Sequence, residues 1–271
     1  MVEADSPHLS VTHRDDIATL TIERPDRLNA YSPEMAAAIA DCFEAMDAAS
    51  GVRTVVLTGT GDRAFCAGMD IETYLEVSDE EGVGSVDTLL ESTHETHRIV
   101  KTIRRVELPV VAAVNGYAFG GGMDLALACD FRVVHANAEL AQQYVNVGLV
   151  PDAGCYLLPR LVGEADAKEL IMTGESIGAE RAADLGIARE IVEGDVAKTR
   201  ETAREFAAKL ADGPTVAIGT AKGMINESFE VSIETALAHA IDGERRCHAT
   251  RDHFEAIQAF DEGRDPEFVG E

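Results

Sequence analysis

Three stretches of the chain place glycines beside groups that can do chemistry. The first is Gly116-Tyr117-Ala118-Phe119-Gly120-Gly121-Gly122-Met123-Asp124. Its glycines end a Val-rich run and open a helix. Without Cβ atoms the backbone can lie against a ligand, and the helix start aims free N–H groups and a positive dipole end at it. No Gly-Lys-Ser/Thr follows, so this is not a P-loop. The pattern suits an anion or oxyanion, with Asp124 on the first helical turn. The second stretch is Gly68-Met69-Asp70, in another strand-end loop. Two such loops after neighbouring parallel strands can each give one N–H to the same oxygen, the geometry that stabilises an enolate or a tetrahedral oxyanion. The third is Gly148-Leu149-Val150-Pro151-Asp152-Ala153-Gly154, a turn entering a helix at Cys155–Val162. There Asp152 is either a helix cap or a general base.

Two other patterns read as ordinary structure. Gly59-Thr60-Gly61-Asp62-Arg63-Ala64 matches the dinucleotide pattern G-x-G-x-x-A after a strand. The fingerprint needs a helix to start inside it, and Phe65-Cys66-Ala67-Gly68 carries no helical stripe. It reads as a strand-end loop. His94-Glu95-Thr96-His97 is one residue short of H-E-x-x-H, and two His at i, i+3 do not share a ligand face. With Glu91 it reads as a solvated helix face.

The elements that must position these loops follow from periodicity. Leu9–His13 and Ile17–Ile22 alternate as a hairpin around Arg14-Asp15-Asp16. After the loop Glu23–Tyr31, Ser32-Pro33-Glu34 opens a helix that runs to about Ala48. Short buried strands are expected at Arg53–Leu57, Val110–Val114 and Phe131–His135, and helices at Val86–Arg105 and Met123–Cys129. Strands alternating with helices argue for a parallel sheet with crossover helices. Beyond Ala165 the pattern is helical apart from Ala188–Val192. Its helices are expected at Ala197–Leu210, Thr215–Asn226 and Ile233–Phe260. The expected division is an α/β core over residues 1–200 and a helical region over 201–271.

Composition narrows the partners. Asp+Glu number 49 against 23 Lys+Arg, a formal net charge of −26. Nucleic acid and anionic membranes are poor partners for such a surface. The acid excess runs along the whole chain, which suggests a salt-adapted protein whose self-repulsion is screened by salt. Aromatics are 5% of residues and Trp is absent, which argues against an aromatic-rich carbohydrate or nucleic-acid surface. The five cysteines are widely spaced and form no CxxC, so neither a zinc site nor a disulfide framework is expected. No signal-peptide pattern and no transmembrane run is present, so a cytoplasmic location is expected.

In this order the loops resemble the crotonase superfamily, the enoyl-CoA hydratase/isomerase family. The matching segments are Arg24-Pro25-Asp26-Arg27-Leu28-Asn29-Ala30, Ala64–Asp70, Asn115–Gly122 and Gly148–Gly154. The ending, Ala259-Phe260 to Pro266-Glu267-Phe268, is similar too. The resemblance implies an α/β fold: a crotonase-like spiral of β-β-α turns with a C-terminal helical oligomerisation region, assembled as a homotrimer or hexamer. It implies an acyl-CoA thioester substrate, with coenzyme A part of that substrate and no separate cofactor or metal. Carried over residue by residue, the backbone N–H groups of Met69 and Gly121 form the oxyanion hole. Arg27, Leu28 and Ala30 line the CoA nucleotide, and Ala67 contacts the adenine.

The reaction is read from the departures. Asp124 stands where hydratases of the family carry their first glutamate, and Tyr144 where they carry the second. Tyr144, with an ordinary phenol pKa near 10, is a poor carboxylate substitute. Asp152 matches the acid of the family's Pro-Asp-x-Gly turn, seen in its ring-epoxide/oxepin and enoyl-CoA isomerases. The expected catalytic residues are therefore Asp152 as proton shuttle, with Asp124 and Tyr144 orienting substrate or water. Double-bond isomerisation stands ahead of enoyl-CoA hydration. An acyl-CoA decarboxylase using Tyr144, a non-catalytic CoA-binding scaffold and a nucleotide-dependent oxidoreductase remain as alternatives. The helix dipole is expected to keep Asp124 ionised, and an apolar shell of Leu149, Val150 and Leu157 to raise the pKa of Asp152.

Overall fold

The fold is taken from a computed structural model that describes residues 2–70 and 86–271. Strands β1 (Leu9–Arg14) and β2 (Ile17–Ile22) form the expected hairpin, with Asp15 and Asp16 both at positive φ in its two-residue turn. From β3 (Thr54–Gly59) the chain adopts a repeating plan. β3, β5 (Val110–Val114), β7 (Phe131–His135) and β10 (Glu190–Val192) extend a six-stranded sheet in the order β1-β2-β3-β5-β7-β10, parallel from β2 onward. The strands between them, β4 (Ala64–Cys66), β6 (Tyr117–Phe119), β8 (Glu139–Ala141) and β9 (Ile177–Gly178), form a second sheet in sequence order. Strands β3, β5 and β7 are each followed by one strand of the small sheet and then a helix. This is the expected spiral of β-β-α turns. The small-sheet strands have two or three residues, too few to show a period; β4 and β6 lie in stretches expected as glycine-bearing loops, and β9 in one expected as helical.

Helix α1 (Pro33–Asp47) starts as expected, with the Ser32 hydroxyl accepting from Met35 N–H. Its Met35, Ile39, Phe43 and Met46 share one apolar core with Ile99 and Ile103 of α2 (Val86–Arg105). Helix α3 (Gly121–Ala128) is buried along its whole length, two residues earlier in start than the sequence pattern suggests. Helices α4 (Gly154–Val162), α5 (Glu164–Thr173) and α6 (Ala179–Asp184) follow.

The C-terminal part is helical but departs from expectation twice. Helix α7 (Val196–Ala211) packs Ala203, Ala207 and Ala211 on Val56, Val111 and Val133 of the large sheet. A boundary between residues 200 and 201 therefore cuts a core helix. The stretch Ile233–Phe260 is two helices, α9 (Ile233–His248) and α10 (Arg251–Glu262). Thr250 ends one turn and caps the next by accepting from His253 N–H. Before them, α8 (Thr215–Glu227) is anchored by Lys222, whose buried ammonium bonds Asp130 Oδ2 and the carbonyls of Ile103 and Leu108, each at 2.9 Å. The apolar stripe of α9 does not fold back on this core: Ile233 is 66% and Leu237 60% exposed. Among the described residues no helix is long and apolar enough to cross a membrane.

Candidate active site

Two loops meet at the C-terminal ends of β4 and β6. The first is pinned to the segment 24–31. Ala67 N–H donates to Leu28 O (3.0 Å), Tyr31 N–H to Gly68 O (3.0 Å) and Asp70 N–H to Tyr31 O (2.9 Å). Alternation along this extended piece turns Met69 N–H away from Tyr31. Among the described residues no acceptor takes it, nor the N–H of Gly121. The second loop opens α3, with Gly121 as its first residue. The contact between the loops demands glycine. Gly68 has φ +89°, and a Cβ there would lie 3.0 Å from Gly121 N. A Cβ on Gly122 would lie 1.9 Å from Cys66 O. Both unsatisfied N–H groups thus sit at one junction of backbone.

Buried amides stitch the surrounding loops. Asn29 Nδ2 donates to Thr60 O (2.9 Å) and Ala64 O (2.7 Å), and its Oδ1 accepts from Arg24 N–H (3.0 Å). Asn115 bonds Gly59 N–H (3.1 Å), Gly61 O (3.2 Å) and Ala64 O (3.0 Å). Arg200 donates to the carbonyls of Gly59 and Gly61. The G-x-G-x-x-A stretch is therefore loop and strand held from below, with no helix in it. Arg24 pairs with Asp70 at 2.8 Å and donates to Ala30 O at 2.9 Å. Leu28 and Asn29 hold positive φ to make this turn. The positions expected to meet CoA lie together here: Arg27 exposed, Leu28 and Ala67 joined by their hydrogen bond, Ala30 buried beside them.

The acid–phenol cluster lies beside the glycine junction: a Cβ on Gly120 would come within 3.8 Å of the Tyr144 ring. Asp124 has no exposed surface. Its Oδ1 accepts from Gln142 Nε2 (2.8 Å), and its Oδ2 from Tyr144 O–H (2.8 Å) and Ala153 N–H (3.2 Å). Gly154 makes room for this arrangement, since a Cβ there would lie 2.6 Å from the Gln142 amide. Tyr144 O–H also lies 3.2 Å from Asp152 Oδ2, and His97 Nε2 lies 3.2 Å from Asp152 Oδ1. One phenol oxygen thus sits between two carboxylates. The structure brings Asp124, Tyr144 and Asp152 together as expected, but their surroundings differ from the reading above. Burial pushes the Asp124 carboxyl up to about 6, more than its three donors pull it down, so its charge is carried at a desolvation cost. Burial, then the Asp124 charge, also raises the Tyr144 phenol far above its ordinary range, so it stays protonated and donates. Asp152 has polar partners, His97 and Tyr144; of its expected apolar shell only Leu157 is buried, while Leu149 and Val150 are 49% and 78% exposed. His97, a part-exposed side chain of α2, is also the partner of Asp152. His94 is exposed as expected, and the Glu91 side chain lies outside the described residues.

A cavity of about 550 Å³ opens beside this cluster, walled by Asp152, Ala153 and Tyr156 on one side and by His97 and Val100 of α2 on the other. Asp152 reaches it and Asp124 does not. Sequence reading missed Tyr31, Gln142 and His97. Tyr31 is 1% exposed, and its hydroxyl lies where a Cβ on Gly121 would go. Of these only His97 left a trace, as the second His of a motif set aside.

Comparison with known proteins identifies the family and the fold. The family described as enoyl-CoA hydratase/isomerase matches residues 12–271. The short-chain-enoyl-CoA hydratase of Clostridium acetobutylicum is 34% identical over 251 residues, 92% of each chain. The 1,2-epoxyphenylacetyl-CoA isomerase of Escherichia coli is 33% identical over 256 residues, 94% of this chain and 95% of that one. The crystal structure of an enoyl-CoA hydratase from Bacillus anthracis superposes with a TM-score of 0.89 at 31% identity, covering 97% of this chain and 100% of the other. The glycine junction, the acid–phenol cluster and the two-sheet spiral therefore sit in a chain that belongs to the enoyl-CoA hydratase/isomerase family.

Proposed function

We propose that this protein moves the double bond of an enoyl-CoA thioester by proton transfer, with Asp152 as the shuttle. One observation carries the choice over hydration. Adding water by the two-carboxylate route needs both carboxylates on the same water, and here Asp124 is sealed behind Tyr144, Gln142 and Ala153 while Asp152 alone lines the cavity.

The steps follow from the groups present. The thioester oxygen lies against the N–H groups of Met69 and Gly121, and the dipole of α3 adds to their field. Asp152 takes a proton from the α carbon; that C–H pair moves into an enolate on the held oxygen. Asp152 then returns the proton at the γ carbon, and the double bond ends conjugated with the thioester. Tyr144 donates to whichever carboxylate is more basic, so its hydrogen bond can follow the charge from Asp124 to Asp152 as the latter is deprotonated again. Asp124 and His97 act as positioning residues on either side of the shuttle. On the same reading, Arg27, Leu28, Ala30 and Ala67 hold the CoA nucleotide, and the exposed stripe of α9 meets further copies in a cytoplasmic trimer or hexamer.

The test compares a 3-enoyl-CoA with crotonyl-CoA and follows deuterium uptake at the α carbon by mass spectrometry. Isomerisation should exceed hydration, and Asp152→Asn should slow exchange about 10²–10⁴-fold, the range for a positioned base. Fast hydration of crotonyl-CoA with no turnover of the 3-enoyl-CoA would overturn the reading.

A further inference from the structure

The cavity beside Asp152 carries a charge pattern that proton transfer does not use. Beyond His97, helix α2 turns Lys101, Arg104 and Arg105 into the same cavity. These lie at i+4, i+7 and i+8 from His97, on one face of the helix. At a rise of about 1.5 Å per residue, Lys101 stands ~6 Å and Arg104 ~10 Å along the axis from His97. The cations are therefore spaced away from Asp152 at one end of the space.

Among the described residues two of these three cations hold no carboxylate, which runs against the rest of the chain; the Arg104 guanidinium lies 5.8 Å from the centroid of the Tyr156 ring. Acids outnumber bases 49 to 23, and surface arginines such as Arg98, Arg181, Arg204 and Arg264 each hold a carboxylate. In the cavity only Arg105 does so, with Glu44 at 2.9 Å. Among the described residues Lys101 and Arg104 make no ion pair; Arg104 donates only to Asn226 O, at 3.4 Å. The acid that α8 contributes to the lining, Glu227, lies 3.3 Å from His239. The lining also includes Val100, Ala153, Tyr156 and Gly223, an apolar stretch that suits a methylene stem. The Tyr156 ring is held in place by Arg160 stacked 3.6 Å from its centroid and by its hydroxyl on Glu230 at 2.7 Å.

Resting on the proton-transfer reading above, we propose that this cavity takes the far end of the acyl chain and selects chains that end in a carboxylate, held by Lys101 and Arg104. Such a group would accept charge-assisted hydrogen bonds from both. A chain ending in a quaternary ammonium would meet like charge instead.

Calorimetry tests this with three saturated acyl-CoAs of equal length, ending in methyl, carboxylate or trimethylammonium. These do not need turnover, and their CoA portion is common, so contacts to its phosphates cancel in the ratios. The carboxylate-ended chain should bind about 10–100-fold more tightly than the methyl-ended one, the scale of hydrogen bonds to charged groups, and the ammonium-ended chain most weakly. In Lys101→Met, Arg104→Met and the double variant, the carboxylate-to-methyl ratio should fall towards one. Equal affinities in the parent, or a ratio that survives the double variant, would overturn the proposal. Should binding show the preference while no 3-enoyl-CoA of either type is isomerised, the cavity assignment stands and the proton-transfer reading falls.

Discussion

The substitution Asp124→Asn separates burial from catalysis. In the folded chain the Asp124 carboxyl lies at about 6, against an ordinary value of 3.8. A raised acid means that the folded state holds a proton the unfolded state has released. Stability therefore falls as pH rises from about 4 to about 6, and the cost is complete above that window. Some two units at 1.36 kcal/mol each make this cost about 3 kcal/mol at pH 7. Asparagine removes it with little rearrangement. Its Oδ1 can accept from Tyr144 O–H and Ala153 N–H, and its amide would then face Gln142. Gln142 Oε1 has no partner in the native arrangement, so turning that amide over provides an acceptor. The stability difference between variant and parent should grow by about 3 kcal/mol between pH 4 and pH 7.5, with the variant gaining at the upper end. For a chain of this size that corresponds to a Tm gain of about 6 °C. Urea unfolding at fixed salt and protein concentration measures it. A difference independent of pH would mean that Asp124 is ionised at little cost, and the burial argument would fail. The same variant should keep measurable α-carbon exchange, because Asp152 does not depend on the charge of Asp124 to reach the cavity.

Other perturbations follow from single contacts. Gly68→Ala places a Cβ 3.0 Å from Gly121 N at a residue with φ +89°, so the two loops must part; kcat should fall about 10²-fold or more, the scale of one lost oxyanion donor, while circular dichroism stays native. Lys222→Met leaves Asp130 and two carbonyls buried against a thioether and should destabilise by about 3–5 kcal/mol in urea; a loss below about 1 kcal/mol would show that water replaces the ammonium. Leu237→Glu, on the exposed stripe of α9, should lower the mass seen by light scattering in molar salt, and an unchanged mass would place the contact elsewhere. Dialysis of the parent to low salt should lower its Tm, as expected of a chain with net charge −26.

Much of the fold could be read before any coordinates because its strongest signals are local. The Val-rich runs at Val110–Val114 and Phe131–His135 are buried on both faces and announce parallel strands; Ser32-Pro33 announces a helix start. The small sheet could not be read in this way. Its strands are too short for any period, and they exist because neighbours on the spiral pair with them. The break at Thr250 was hidden for a related reason: apolar residues continue across it, and only the cap bond to His253 N–H ends one helix and starts the next. The glycine junction was legible as a motif, yet the reason for glycine at position 154 needed the Gln142 amide from a distant strand end.

The carboxylates show where local reasoning stops. A helix start favours a negative charge by roughly 0.3–1 kcal/mol at a surface and about 2 kcal/mol when partly buried. Full burial of a carboxyl acts the other way by up to 3–5 pKa units. From the sequence the first effect is visible at Asp124 and the second is not, because burial is produced by Gln142, Tyr144 and Ala153 arriving from other turns of the spiral. The larger effect wins, and it changes the division of labour. An acid expected to be the ionised partner is locked in the interior. The acid expected to be desolvated keeps two polar neighbours and the only carboxylate access to the cavity among Asp124 and Asp152. Asp152 serves as the shuttle through its reach into the cavity and its hydrogen bonds to Tyr144 and His97.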